Sequence, residues 1–218
     1  MSAWYPLLLK LEGRKCVVFG GGPVAQRKAE GLLQAKADVR LVSPGATGQL
    51  MEWFERGLLR WTAREAVEED LDGAVLVFAA TDRGEVNRKL AEWAARRGIP
   101  ANVADDGENG DFIVPAVLRQ GGLVLTASAS GAGPALAARI IGELAERYGQ
   151  DYNENVEALR TIRRIVKAKI ADQAERRELL RAAVSDEALT EWRSASWLHE
   201  EQDRLILRLR QLADERKG

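Results

Sequence analysis

The feature that most constrains the fold is a glycine-rich turn set between an apolar strand and a helix. Cys16-Val17-Val18-Phe19 is a short apolar run, Gly20-Gly21-Gly22-Pro23-Val24-Ala25 follows it, and Gln26 to Leu33 continues as a helix. The spacing is Gly-x-Gly-x-x-Ala. In that context Gly20 permits the tight turn, Gly22 lets backbone N–H groups approach a diphosphate, and Ala25 allows the helix to lie close against the strand. The start of a helix adds partial positive charge where an anion would sit. A packing turn would also use glycine, but strand, loop and helix agree here. Gly20, Gly21, Gly22, Pro23 and Val24 are therefore candidate cofactor-binding residues of a dinucleotide-binding βαβ unit.

The rest of the first half supports that unit. Val39–Ser43, Ala74–Ala79 and Ile99–Val103 read as further strands, and Gln49–Glu55 and Glu85–Arg97 as helices between them. Short apolar runs alternating with amphipathic ones are the pattern of a doubly wound parallel sheet with crossover helices. After Asp111 the texture changes. Phe112–Leu118 and Leu123–Ser128 read as two strands around a short turn, Ala135–Tyr148 as a helix entered through Pro134, and nearly everything beyond Gln150 as charged helix.

Rossmann-type sites commonly place an acid at the end of the second strand to bond the ribose. This chain has Ser43 and Pro44 there. A serine bonds a ribose hydroxyl, and would tolerate a 2′-phosphate beside a cation such as Arg40 or Lys36, so the spacing leaves NAD and NADP both open. Thr81 and Asp82, after Ala79-Ala80, fall at the carboxyl edge of the sheet and are candidate cofactor residues as well. Thr81 also reads as a cap for the following helix.

Composition sets bounds. Lys and Arg number 32 against 33 Asp and Glu, so the net charge of -1 offers no whole-chain attraction to nucleic acid or an anionic membrane. No apolar run reaches membrane-spanning length, and cytoplasmic localisation is expected. The single cysteine, Cys16, reads as a small buried hydrophobe. The single histidine, His199, reads as a surface residue of the helical tail, and no Cys or His cluster suggests a resident metal.

Longer motifs carry a resemblance. Pro6-Leu7 with Leu11-Glu12-Gly13-Arg14, Val18 to Ala29, Ala79-Ala80-Thr81-Asp82 with Val86-Asn87, Asn102-Val103-Ala104-Asp105, Phe112-Ile113-Val114-Pro115-Ala116 and Ser128 to Ala137 occur in this order. Together the chain resembles the precorrin-2 dehydrogenase family, the N-terminal module of siroheme synthases, over roughly residues 5 to 180. The resemblance implies an α/β fold: an NAD-binding Rossmann domain over 1–111, a small α+β dimerisation segment over 112–149 and a C-terminal helical domain over 150–218. It also implies NAD as cofactor, a homodimer, a tetrapyrrole substrate, and oxidation of precorrin-2 to sirohydrochlorin on the way to siroheme or cobalamin.

Such an oxidation removes a hydride and a proton, so the site needs a nicotinamide acceptor and a base. By residue type alone Asp105-Asp106-Gly107 is a solvated turn. The resemblance implies instead that Asp105 is the catalytic proton acceptor, with Asn102 and Ser128 among the substrate-binding residues. Ala129 and Gly133 depart from the hydroxyl residues often found at those positions of the family loop. Arg160, Arg163, Arg164 and Lys167 recur on one face of a helix, a solvated face or an anion-binding wall for substrate carboxylates, with Arg163 and Arg164 as its candidates and Arg176 and Arg177 beyond it. Two other functions fit parts of the chain: insertion of ferrous iron into sirohydrochlorin, and a non-catalytic NAD-sensing module.

Overall fold

A computed structural model describes residues 4–104, 110–129 and 133–216. The chain divides into two compact units, Met1–Val114 and Pro115–Gly218.

In the first unit, strands β1 (Lys15–Phe19), β2 (Asp38–Val42), β3 (Arg60–Thr62), β4 (Leu76–Ala79) and β5 (Ala101–Val103) form one sheet in the order β3-β2-β1-β4-β5. Every pairing is parallel. Helices α1 (Pro23–Gln34), α2 (Gly48–Glu55) and α3 (Gly84–Arg96), with a 3-10 turn at Glu68–Leu71, make the crossovers. Cys16 and Val18 on one face of β1 pack in a core with Ala25, Ala29 and Leu32 of α1 and Leu50 of α2. Val17 and Phe19 on the other face pack with Leu71 and with Leu90 and Ala94 of α3. A strand covered on both faces needs apolar residues at consecutive positions, and this is why β1 reads as an unbroken run rather than an alternation. The doubly wound expectation holds. Strand β3 escapes the sequence reading because it is a three-residue edge strand with Arg60 and Thr62 exposed on either side of Trp61.

The second unit opens with an antiparallel pair, β6 (Ala116–Gln120) and β7 (Leu123–Ala127), followed by α4 (Pro134–Arg147). The expectation of a strand starting at Phe112 is corrected: β6 begins at Ala116, past Pro115, which lacks a backbone N–H to give a ladder. Arg119 and Gln120 belong to β6, leaving Gly121 and Gly122 as the turn. Helices α5 (Asp151–Lys169), α6 (Gln173–Ala182), α7 (Asp186–Ser194) and α8 (Gln202–Glu215) enclose a separate core of Ile162, Ile165, Val166, Leu179, Trp192, Leu205 and Leu209. The starts of α6 and α7 are locally encoded: Asp172 accepts the Glu175 N–H at 2.6 Å and Ser185 the Ala188 N–H at 3.2 Å. Trp192 is a packing residue, its indole donating to the Ala183 carbonyl at 2.9 Å and its ring edge-on to Trp197. No helix among the described residues is long and apolar enough to cross a membrane.

Candidate functional site

The chain leaves β1 toward β2 and β3, then returns to lay β4 on the other side of β1. Loops after β1 and β4 therefore diverge to opposite faces, opening a crevice at the carboxyl edge of the sheet where ligands of such folds bind. Three loops meet there.

The first is the glycine turn. Gly20 has φ +111°, and a Cβ built on it would stand 2.2 Å from the Ala80 carbonyl oxygen, so the turn needs glycine for both conformation and space. Gly21 is limited by the second loop: its Cβ would lie 1.8 Å from the Gly45 carbonyl oxygen. Around Gly22 the reverse holds, because a Cβ there would meet nothing within 4 Å. Gly22 is the N-cap of α1, no side chain caps that helix, and its first turn contains no acidic residue. Open space in front of uncapped N–H groups, with no carboxylate competing, fits the diphosphate of a dinucleotide. Ala25 is fully buried against the sheet.

The second loop, after β2, carries Ser43, buried, and Pro44, exposed. Ser43 is fixed through its backbone, its N–H donating to the Thr62 carbonyl at 3.2 Å and its carbonyl accepting from the Trp61 indole at 3.0 Å. The loop is strapped to the glycine turn by Thr47. Its N–H donates to the Gly21 carbonyl at 2.9 Å, and its hydroxyl donates to Gln26 Oε1 at 2.7 Å. Neither of the two cations that a 2′-phosphate beside Ser43 would call on is unpaired. Arg40 is held by the Asp38 carboxylate at 2.8 Å, at the start of β2, and Lys36 faces Glu12 at 3.7 Å in the turn before that strand. Lys36 precedes β2, at the opposite edge from Ser43, and Arg40 sits mid-strand with its guanidinium turned back to Asp38. Arg64, just after β3, is engaged by both Asp70 oxygens.

The third loop holds Thr81, half-buried, and Asp82, exposed. Thr81 is not the cap of α3, whose N-cap is Arg83. Its polar groups turn instead to Asn87, a residue the sequence reading quoted without giving it a role.

Of the residues read as touching substrate, Asn102 lies on β5, buried, with its amide nitrogen donating to the Phe112 carbonyl at 2.9 Å and its Oδ1 without a partner among the described residues. Asp111 also closes on β5: its carboxylate accepts the Ala101 N–H at 2.9 Å while its own N–H donates to the Ala101 carbonyl at 2.8 Å. Phe112 completes the attachment, its ring 5.3 Å from that of Phe78 and at 90° to it. Asp105 lies outside the described residues. Ser128, Arg163 and Arg164 belong to the second unit, where both arginines are exposed on α5 and neither has an ion pair among the described residues. Arg160 pairs with Glu157, and Arg176 donates to the Ile170 carbonyl at the end of α5, so neither stands free as an anion ligand. Residues that could hold a metal form no cluster among the described ones, and the His199 side chain lies outside them.

A family model described as putative NAD(P)-binding matches residues 7–116, half of the chain. The siroheme synthase of Chromobacterium violaceum is 37% identical over 174 residues, covering 80% of this chain and 37% of that protein. Siroheme synthase 3 of Aeromonas hydrophila is 36% identical over 198 residues, covering 88% and 42%. The chain thus spans about two fifths of the length of these relatives. The solved structure of SirC, precorrin-2 dehydrogenase, superposes with a TM-score of 0.72 at 27% identity, covering 95% of this chain and 100% of that one. Fold, cofactor crevice and these likenesses agree: the chain belongs to the NAD(P)-binding family and, within it, to the precorrin-2 dehydrogenase family.

Proposed function

We propose that the protein oxidises precorrin-2 to sirohydrochlorin with NAD in siroheme or cobalamin biosynthesis. The observation that carries this reading is that the likeness to a precorrin-2 dehydrogenase extends over 95% of the chain, through both units, rather than stopping with the NAD(P)-binding half. NAD, when bound, supplies the hydride acceptor. Gly20, Gly21, Gly22, Pro23 and Val24 receive its diphosphate at the α1 N-terminus, and Ser43, Pro44, Thr81 and Asp82 border its two ends. NAD rather than NADP is supported by Arg40 and Arg64, both of which are neutralised by carboxylates.

Asp105, two residues after β5, takes the proton that leaves with the hydride, and Asn102 anchors the chain beside it. Ser128 and the exposed arginines Arg163 and Arg164 bind the tetrapyrrole, whose carboxylates require cations. The enzyme acts as a cytoplasmic homodimer. Val117 on β6 and Leu136 and Ile140 on α4 are exposed large hydrophobics within the segment 112–149, and a second copy would cover them.

Anaerobic incubation of the protein with precorrin-2 and NAD tests the activity. Sirohydrochlorin absorbance and NADH appear together for the unmodified protein, and Asp105→Ala binds NAD normally but yields neither. An Arg163→Ala, Arg164→Ala pair raises the KM for the tetrapyrrole and leaves NAD affinity unchanged. Absence of NADH formation by the unmodified protein rejects the reading, and a normal kcat in Asp105→Ala rejects the role of that carboxylate.

A further inference from the structure

Asn87 lies in the first turns of α3, and its side chain is almost fully buried, at 4% exposure. Burying an amide is costly unless its groups are bonded. All of its side-chain bonds go to one residue, six positions back, at the end of β4. Asn87 Oδ1 accepts the Thr81 N–H at 3.0 Å and the Thr81 hydroxyl at 2.6 Å, and Asn87 Nδ2 donates to the Thr81 carbonyl at 3.1 Å. The main-chain N–H and C=O of Thr81, which would otherwise follow β4 into the crevice unpaired, are both satisfied by this one amide.

The residue before Thr81 is Ala80, whose carbonyl oxygen stands 2.2 Å from where a Gly20 Cβ would be. Ala80 is tied to β1 by its N–H, which donates to the Phe19 carbonyl at 2.8 Å. Phe19 precedes Gly20. Asn87 thus holds the far side of a turn whose near side presses directly on the glycine loop.

We propose that Asn87 is a positioning residue of the cofactor site, which fixes the Ala80–Thr81 turn and through it the glycine loop in the shape that receives the dinucleotide. The proposal rests on the NAD-binding reading above. A residue serving only to start α3 would bond the free N–H groups of that helix, whereas the Asn87 side chain bonds none of them and reaches back to the sheet edge. Thr81 is positioned with a known polarity too: its hydroxyl proton goes to Asn87, and its oxygen accepts the Arg83 N–H at 3.3 Å.

The test is NAD titration of the full chain by calorimetry, with steady-state kinetics and thermal unfolding of the same samples. Asn87→Ala weakens NAD binding roughly tenfold, the effect of losing about 1.4 kcal/mol of preorganisation. It leaves kcat at saturating NAD and the KM for the tetrapyrrole unchanged. Asn87→Asp, which keeps the acceptor for the Thr81 N–H and hydroxyl but sets a carboxylate oxygen against the Thr81 carbonyl, weakens NAD binding as well. A lowered Tm with unmodified NAD affinity in Asn87→Ala overturns the proposal and leaves a purely structural amide. Should Asn87→Ala fail to fold, Asn87→Ser takes its place: too short to reach both Thr81 groups, it must also weaken NAD binding, and an unaltered affinity overturns the proposal equally. Failure of the unmodified protein to bind NAD rejects the cofactor reading itself, an outcome distinct from failure of the variants.

Discussion

The α-carbon of Gly20 faces the carbonyl oxygen of Ala80 so closely that a methyl group between them would stand 2.2 Å from that oxygen. This contact joins the ends of β1 and β4, the two strands between which the sheet reverses its winding. It defines one wall of the cofactor crevice by backbone alone.

Gly20 and Gly22 are therefore expected to fail differently. Gly20→Ala forces a left-handed φ and a collision with Ala80, and costs ~2 kcal/mol or more in stability by denaturant unfolding. The Cβ of Gly22→Val meets no protein atom within 4 Å, and position 22 has an ordinary φ of -84°, so the variant unfolds close to the unmodified midpoint. It occupies the space in front of the α1 N-terminus and weakens NAD binding by roughly tenfold or more. Equal loss of stability in both variants would contradict this division of roles.

Asp111 and Ala101 exchange two hydrogen bonds, one through the Asp111 carboxylate and one through its N–H. The open edge of β5 is thereby paired by a residue outside any strand. Asp111→Ala leaves the Ala101 N–H without its acceptor and lowers stability by about 1–3 kcal/mol. Asp111→Asn keeps an acceptor oxygen and recovers most of the loss. Urea unfolding of the three proteins compares them directly.

The Cys16 thiol is fully buried in β1. Burial pushes its pKa up from 9.0 to about 11, nearby Asp38 adding to the rise and Arg14 opposing it. A folded-state pKa above the unfolded value means that the folded form is favoured while the thiol is protonated. That contribution is complete below pH 9 and is lost as pH rises from 9.0 toward about 11. Stability should fall across this window, and less so in Cys16→Ala after allowing for its lower starting value. A thiol reagent at pH 8 should modify Cys16 only after denaturant is added.

Val117 and Ile140 carry the prediction about assembly. Each is more than a third exposed on the β6–β7–α4 segment. A Val117→Asp, Ile140→Asp pair should move the protein from dimer to monomer in light scattering at micromolar concentration, while far-UV circular dichroism is retained. A monomeric unmodified protein would refute the dimer.

The alternation of apolar runs and helices and the order Gly20-x-Gly22-x-x-Ala25 are local properties, and they determined the doubly wound fold and the place of the phosphate loop. Strand polarity makes every βα loop emerge at one edge, so Ser43 and Thr81 could be assigned to the crevice from spacing. What tertiary structure decided is which residues meet across the loops. Gly21 against Gly45, Thr47 against Gln26, and Asp111 against Ala101 are distant in sequence, and their pairing depends on sheet order and loop path. Arg40 shows the same limit: two residues of separation on a strand put it on one face with Asp38, which neutralises it, and three residues put it well away from Ser43. Asn87 lay in plain view inside a quoted motif. Its role emerged only when β4 and α3 folded together, because an asparagine six residues from a threonine has no fixed partner until the turn between them is set.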